Sequence, residues 1–441
     1  MNNRTSLGDL GYTWDANKNK TSESITGVMS GYGFTSAGTT YDNEDRLTGF
    51  SRAATSGPAL LSQSWSLTAV GDWTSVTTNG TAQNRTHGPT HELLTAGDQN
   101  VATDVKGNIT TLPVNLRPSG STTAMNLTWD SDNKLRSAEI DANGTADVNF
   151  QYDSLGRRVA RSGTGGSVVY VQMDQQTIAD YPVGGAATTP TFRYVYASYI
   201  DEPVVRKTAG TGGTLVYFHR NQQYSVTAIT TSAGAIAERY AYSAYGQPTV
   251  MDASASVLSS SAINNRYTYT GREWDQTLDL HHFRARWMSP SAGRFLSRDP
   301  IAYKGSPYCL YEAFDSRSLQ ETDPSGMGIR TWICKSLLRG SLYPCWEFAR
   351  IFDEFDSDCQ RDRDSDLVEF IDHYADRGGA YCGCIGALCP DSSLYKSQYA
   401  DLCCILIKVR KAEIRFGEPD SEKFRRSIGL CLKAIIGNIV I

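Results

Sequence analysis

Two aspartate-proline pairs are the residues of this chain whose type and spacing could do chemistry, Asp299-Pro300 and Asp323-Pro324. Two carboxylates that are held close together cannot both ionise easily, so one of them keeps a proton. One carboxyl group can then activate a water molecule while the other protonates a leaving amide, which is the chemistry of peptide hydrolysis. The alternative is that both pairs are turn formers, with proline stiffening the turn and aspartate bonding its backbone.

Cysteine and charge usage divide the chain shortly after the second pair. Cys309 is the one cysteine before residue 328, and the other nine follow it. The segment 328–441 has 33 charged residues in 114, whereas residues 1–327 have 56. The last segment also carries helix-like apolar periodicity, as in residues 421–433. We therefore predict a mainly β body followed by a small α-rich, cysteine-containing domain.

The overall composition favours a folded β protein. The 441 residues include 39 Gly and 24 Tyr, and 40% are hydrophobic, which argues against disorder. The formal net charge of −5 lacks the basic excess that is typical of nucleic-acid binding. We find no Sec-type signal peptide at the polar start and no apolar run of the roughly 20 residues that span a bilayer. We expect neither a nucleic-acid partner nor a membrane span.

A degenerate repeat supplies the elements that would position the two carboxyl groups. An aromatic-Asp pair, two or three turn formers, and a basic or Asn residue before an apolar one recur at 41–47, 129–135 and 152–159. Looser copies lie at 14–18 and 103–109. We predict that each copy is a hairpin in which the Asp accepts backbone N–H bonds and Gly or Asn takes the positive-φ position.

These copies resemble the YD repeats of the Rhs family and of the related C subunits of Tc toxins. The block 269–301, which continues to 323–327, resembles the Rhs repeat-associated core domain in both order and spacing. Together the two similarities cover about residues 10–327. The resemblance implies a long β-sheet that spirals into a shell, with a YD-repeat region at 1–260 and the core at 261–327.

The same resemblance implies an aspartyl-type self-cleaving site in the core. Carried over to this chain, Asp299 and Asp323 would be the two carboxyl groups and Arg298 would steady the site. The cut would fall after Met327 and before Gly328, where the composition changes. Residues 316–318 depart from the Asn-Asn-Pro of the family pattern, and Met327 stands where the family has Leu.

The function that the resemblance implies is delivery. A bacterial, secreted or surface-located shell would enclose a variable C-terminal cargo at 328–441, which is a toxin in this interpretation, and release it by self-cleavage. Partners would be an immunity protein and a secretion or shell-completing component. Two alternatives stay open: a non-catalytic surface repeat protein that binds carbohydrate or neighbouring cells, and a truncated gene remnant that no longer acts.

The segment 328–441 resembles no family that we can name. The acidic run 353–366 could gather a divalent cation, although a solvated helix face accounts for it as well. The cysteines, among them Cys382, Cys384 and Cys389, could form disulfides or bind zinc, but paired Cys-x-x-Cys knuckles are absent. We assign no cofactor and no metal from the sequence.

Overall fold

The structure of the protein is a computed structural model, which describes residues 8–29, 38–52, 60–210, 212–306 and 308–328. The predicted α-rich domain, apart from Gly328, lies outside these residues. Nine of the ten cysteines lie outside them as well.

The described residues form 27 β-strands in four antiparallel sheets, and neighbouring strands in each sheet follow one another in sequence. A two-stranded sheet contains β1 (Leu10–Trp14) and β2 (Lys20–Ile25). A seven-stranded sheet contains β3 (Thr40–Tyr41), β4 (Leu47–Arg52), β5 (Leu61–Leu67), β6 (Trp73–Thr78), β7 (Thr81–His87), β8 (Leu93–Ala96) and β9 (Gln99–Asn100).

The largest sheet has fourteen strands, and a four-stranded sheet follows it in the chain. The fourteen are β10 (Ala102–Thr103), β11 (Ile109–Leu112), β12 (Met125–Trp129), β13 (Leu135–Glu139), β14 (Val148–Tyr152), β15 (Arg158–Gly163), β16 (Val168–Met173), β17 (Gln176–Pro182), β18 (Phe192–Tyr196), β19 (Pro203–Thr208), β20 (Leu215–Arg220), β21 (Val226–Thr231), β22 (Ile236–Tyr242) and β23 (Pro248–Met251). The four are β24 (Glu273–Asp275), β25 (Leu280–Phe283), β26 (Arg286–Ser289) and β27 (Arg294–Phe295). Single 3-10 turns are Gly27–Met29, Val114–Leu116, Tyr269–Gly271, Ala302–Lys304 and Phe314–Ser316.

All five predicted repeat copies are hairpins, and their turns share one geometry. In the copy that joins β12 to β13, Asp130 Oδ1 accepts hydrogen bonds from the backbone N–H of Asp132 at 3.0 Å and of Lys134 at 2.9 Å. The third residue after the aspartate has a positive φ, which is 57° at Asn133. The same two bonds and positive φ occur in the copies of Asp15, Asp42, Asp104 and Asp153. The hairpins and the aspartate acceptor are confirmed, but Gly or Asn takes the positive-φ position in only three copies, since Lys18 and Asp45 take it in the other two.

Two further turns have this geometry although the repeat pattern did not reveal them. Asn221 replaces the aspartate between β20 and β21, where its Oδ1 accepts from Gln223 N and Ser225 N. Asp252 follows β23 without an aromatic residue before it, and it accepts from Ser254 N and Ser256 N. At Asn221 an amide oxygen can replace the carboxylate oxygen because the turn needs only a hydrogen-bond acceptor.

Replacing Asp130 with alanine is expected to lower the free energy of unfolding by about 1–2 kcal/mol, because two backbone donors lose their acceptor. Urea-induced unfolding would measure the loss. Asp132→Ala is the matched control in the same turn, since the Asp132 side chain is exposed, and we expect it to change stability by less than about 0.5 kcal/mol. Equal losses in both variants would show that the side-chain acceptor does not stabilise the turn.

The four-stranded sheet is the centre of the described residues, and every residue of its strands is buried. Trp287 packs on Phe150 of the fourteen-stranded sheet, with ring centroids 4.8 Å apart. Phe283 belongs to a second apolar cluster that includes Phe50 and Trp65 of the seven-stranded sheet. The seven-stranded and fourteen-stranded sheets therefore pack on the four-stranded sheet from two sides. We call the four-stranded sheet, β24 to β27, the plug and the two larger sheets the wall.

Buried ion pairs join the plug to the wall. The carboxylate of Glu273 on β24 pairs with Arg158 on β15 and, at 3.0 Å, with Nε of Arg266. Burial alone would raise the pKa of Glu273, but the guanidinium groups of Arg266, Arg158 and Arg272 outweigh it and lower that pKa to about 2. The charged form of Glu273 is thus part of the folded state.

The mainly β class predicted from the sequence is confirmed for the described residues. The α-rich C-terminal domain and the domain boundaries remain predictions.

Candidate functional site

Asp299 lies in a tight turn after β27. Its backbone N–H donates to the carbonyl of Leu310 at 2.9 Å, and its own carbonyl accepts from Ala302 N at 2.9 Å. The side-chain Oδ1 accepts from Ile301 N at 3.0 Å, two residues on, so the first Asp-Pro pair does form a turn. These bonds leave Oδ2 facing the interior, and Asp299 is 7% exposed.

Asp323 also lies in a turn, and it organises the chain that follows it. Its Oδ1 accepts from Gly326 N at 2.9 Å, from Met327 N at 3.0 Å and from the Ser325 hydroxyl at 3.2 Å. Its Oδ2 is buried and has no hydrogen-bond partner among the described residues. The turn therefore aims one carboxylate oxygen at the backbone next to Met327 and leaves the other available.

Arg286 brings the two carboxyl groups together. Its Nη2 lies 2.9 Å from Asp299 Oδ2 and 3.6 Å from Asp323 Oδ2. The guanidinium is held by the carbonyls of Gly326 and Leu310, to which Nε and Nη1 donate. A single buried cation thus faces two carboxyl groups, which cannot both be neutralised by it.

The predicted scissile peptide lies beside this pair. A Cβ added to Gly305 would lie 2.3 Å from Asp299 Oδ2 and 2.7 Å from the carbonyl oxygen of Met327. The Gly305 backbone therefore lies close to both the Asp299 carboxyl group and the carbonyl oxygen of Met327. Any side chain at position 305 would displace one of them, so glycine is required here by close approach.

Burial raises the pKa of Asp299 to about 6, from an ordinary value of 3.8. The charge of Arg286 and the N–H of Ile301 oppose this rise, and the neighbouring Asp323 adds to it. With a pKa of about 6, Asp299 keeps its proton at a pH where an ordinary aspartate has lost it, while it lies at the same guanidinium as Asp323. Such a pair can take a proton from water and give one to an amide nitrogen.

The free energy of unfolding is expected to fall as the pH rises from about 4 to about 6. Because the folded state holds the Asp299 proton more tightly than the unfolded chain, this stabilisation is complete below pH 3.8 and is lost through the folded pKa of about 6. We expect about 1–2 kcal/mol after allowance for solvent screening. Comparing urea unfolding of Asp323→Asn and of the double variant Asp299→Asn/Asp323→Asn across this range isolates the effect, because we expect neither chain to cut itself. A constant difference between the two proteins would contradict it.

Arg298 is placed elsewhere than the sequence predicts. Its guanidinium donates to the Tyr311 hydroxyl at 3.1 Å, to Thr90 Oγ1 at 3.2 Å and to Glu92. Among the described residues, the arginine that pairs with both carboxyl groups is Arg286. Arg286, and not Arg298, therefore lies at the carboxyl pair.

The surroundings of the two side chains show why Arg298 lies apart from the pair. Oδ2 of Asp299 faces the buried Arg286, whereas the guanidinium of Arg298 contacts Thr90, Glu92 and Tyr311 and its side chain is 35% exposed. Sequence analysis missed Arg286 and Gly305, because nothing in the pattern singled out Arg286 among the arginines of β26 and its surroundings.

No helix in the part of the chain that the structure describes is long and apolar enough to cross a membrane.

The fold is that of a β shell with an internal core domain. Its repeat strands pack around a plug, and the plug region contains a buried acidic pair.

The curated proteins that this chain is similar to include bacterial proteins named as nucleases and as a toxin. The chain is 26% identical over 220 residues to the tRNA3(Ser)-specific nuclease WapA of Bacillus spizizenii, a match that covers 48% of this chain and 8% of that protein. It is 23% identical over 236 residues to the double-stranded DNA deaminase toxin A of Burkholderia cenocepacia, covering 49% of this chain and 16% of that protein. The chain thus matches only a small part of these relatives' length. No family model matches it.

Solved structures show the same fold. The Tc holotoxin pore of Photorhabdus luminescens aligns with a TM-score of 0.55 at 18% identity, over 73% of this chain and 17% of that chain. A TcdB2-TccC3 structure without the hypervariable C-terminal region aligns with a TM-score of 0.55 at 18% identity, over 74% and 17%. The chain is related to the Rhs-type YD-repeat proteins and to the C subunits of Tc toxins, as its motifs predict.

Proposed function

We propose that this protein is an Rhs-type delivery protein whose β shell releases a C-terminal effector, residues 328–441, by cutting its own backbone after Met327. One observation carries the proposal. Asp299 and Asp323 share the guanidinium of Arg286, and both the Asp299 carboxyl group and the Met327 carbonyl lie close to Gly305.

The reaction would be a hydrolysis with balanced proton transfers. A water molecule attacks the carbonyl carbon of Met327 while one carboxylate of the pair takes its proton. The protonated partner then gives a proton to the nitrogen of Gly328 as the peptide bond breaks. The products are a carboxyl group on Met327 and an amine on Gly328. The raised pKa of Asp299 suits it to the acid role, and the two groups act as a coupled pair.

The names of the relatives support a toxin as the cargo. Two of them are named as a tRNA nuclease and as a DNA deaminase toxin, and one solved relative is described as lacking a hypervariable C-terminal region. We propose that residues 1–260 form the repeat wall, 261–327 the core, and 328–441 a toxin. An immunity protein and a secretion or shell-completing partner belong to the same proposal, as does a secreted or surface location in a bacterium.

A denaturing gel of freshly synthesised protein tests the proposal. A self-cleaving chain should convert into a 327-residue and a 114-residue fragment without added protease. The conversion should slow as the pH rises above about 6, because the Asp299 proton is then lost. A wild-type chain that stays whole for days would favour the alternative of a non-catalytic surface protein that binds carbohydrate or neighbouring cells.

A further inference from the structure

The segment that leads to the carboxyl pair, Ser318–Met327, is held by side chains from distant parts of the chain. We name it the exit segment. It has no β-strand pairing of its own among the described residues. Several of its backbone carbonyls are held by side-chain donors, since buried carbonyls require partners, whereas that of Ser325 accepts from the backbone N–H of Ala285.

Two neighbouring glutamines provide the donors at its start. Nε2 of Gln223 donates to the carbonyls of both Ser318 and Glu321, each at 3.0 Å. Nε2 of Gln222 donates to the carbonyl of Leu319 at 3.3 Å. Gln223 is 3% exposed, whereas Gln222 is exposed. Three of the first four carbonyls of the exit segment thus accept hydrogen bonds from two side-chain amides, and that of Ser318 also accepts one from the Tyr269 hydroxyl.

The glutamines are themselves fixed by a repeat-type turn. They lie between β20 and β21, where Asn221 Oδ1 accepts from Gln223 N at 3.0 Å and from Ser225 N at 3.1 Å. Tyr224 takes the positive-φ position at 61°. The turn that elsewhere only reverses the chain here presents two side chains to the exit segment.

The hairpin of β1 and β2 holds the exit segment at one further residue. The backbone N–H of Lys20 donates to Gln320 Oε1 at 2.9 Å, and Gln320 Nε2 donates to Asn19 Oδ1 at 3.2 Å. These contacts join positions about 300 residues apart. They restrain the side chain at 320, whereas Gln222 and Gln223 restrain the backbone.

The glutamine contacts end close to the carboxyl pair, since Thr322 alone separates the carbonyl of Glu321 from Asp323. On the other side of Asp323, Arg284 donates to the carbonyl of Pro324 and Arg286 to that of Gly326, so the backbone around Asp323 is held from both sides. Asp323 Oδ2 lies 3.6 Å from Arg286, a distance that leaves little tolerance for displacement. We infer that Gln222 and Gln223 are positioning residues that hold Asp323 against Asp299 and Arg286, an inference that rests on the proposed self-cleavage.

The test uses the full chain made by cell-free synthesis, with cleavage followed over time on denaturing gels from pH 4 to pH 8. Gln223→Ala removes two restraints and is expected to slow cleavage about 100-fold, the usual cost of displacing a reacting group by about 1 Å. Gln223→Glu places a carboxylate against two carbonyl oxygens and should be at least as slow. Gln222→Ala removes one longer bond and should slow cleavage about tenfold.

Gln172→Ala is the matched control, because its amide donates to a backbone carbonyl of the wall, that of Arg158, at 2.9 Å. It should cleave at the wild-type rate. A second readout separates positioning from general stability: if Asp323 moves away from Asp299, the midpoint of the pH profile shifts downward, since Asp323 contributes to the raised pKa of Asp299. Thermal unfolding shows which variants are folded.

The outcomes are distinct. Slow cleavage with a shifted pH midpoint in a folded Gln223 variant supports the clamp. Cleavage of Gln223→Ala and Gln222→Ala at the wild-type rate overturns it while leaving the proposed function intact. Slow cleavage with an unchanged midpoint of the pH profile also overturns the clamp. If both Gln223 variants fail to fold, the cleavage rate and pH midpoint of Gln222→Ala decide between these outcomes. A wild-type chain that never cleaves removes the proposed function and the clamp together.

Discussion

The Asp323→Asn variant is expected to remain a single 441-residue chain under conditions in which the wild type divides in two. An amide can accept the hydrogen bonds of Gly326 and Met327 through its oxygen, so the turn survives, but it can neither take nor share the proton of the pair. General acid-base groups contribute about 100-fold to about 10,000-fold to rate, and we expect a loss of that size. Fragment yield over time on a denaturing gel measures it.

Asp279→Asn is the control, because it removes a buried carboxyl group that lies outside the candidate site. Asp279 is 5% exposed, and its Oδ1 accepts from Gln247 and Trp274 at 2.7 Å and 3.0 Å. Burial raises its pKa too, so its neutral amide analogue should be tolerated. We expect this variant to cleave at the wild-type rate. Normal cleavage of Asp323→Asn would mean that the pair does not carry the reaction.

Glu273→Gln is expected to cost about 3–5 kcal/mol of the free energy of unfolding, because Arg158 and Arg266 would remain buried without their shared carboxylate. The same arginines stabilise the carboxylate of Glu273, and its pKa is therefore lowered to about 2. The pairing stabilises the fold above the ordinary pKa of 4.5 and is lost only as the pH falls through about 2. Urea unfolding monitored by tryptophan fluorescence measures the loss.

An exposed ion pair provides the comparison. Glu44 lies 3.8 Å from Arg46, with 65% of its side chain exposed, and Glu44→Gln should change stability by less than about 1 kcal/mol. If Glu273→Gln were as mild, the ion pairs between plug and wall would not hold the two together.

Much of the fold of residues 8–328 follows from sequence patterns. The aromatic-Asp units predict hairpins because the aspartate supplies the acceptor that the turn requires, as at Asp130 and Asp153. The turn at Asn221 escaped prediction because the pattern was written for a carboxylate, whereas the physical requirement is an oxygen acceptor. The packing of plug against wall joins residues more than 100 positions apart, such as Arg158 and Glu273, and no local pattern encodes it.

Part of the candidate site could likewise be predicted from the sequence, and part could not. Family resemblance singled out Asp299 and Asp323, and the structure places both at one guanidinium. The same resemblance assigns Arg298 to steady the site, whereas the arginine that lies at both carboxyl groups is Arg286. Gly305 could not be predicted as part of the site because its role is purely spatial, as the contact of its backbone with Asp299 and Met327 shows.

Mass analysis of the products of a chain synthesised in oxygen-18 water tests the central claim most directly. If the carboxyl pair hydrolyses the backbone beside it, the smaller fragment begins at Gly328. The larger fragment ends at Met327 with one heavy oxygen in its new carboxyl group. An uncut chain, a cut at any other peptide, or an unlabelled Met327 terminus would contradict the account.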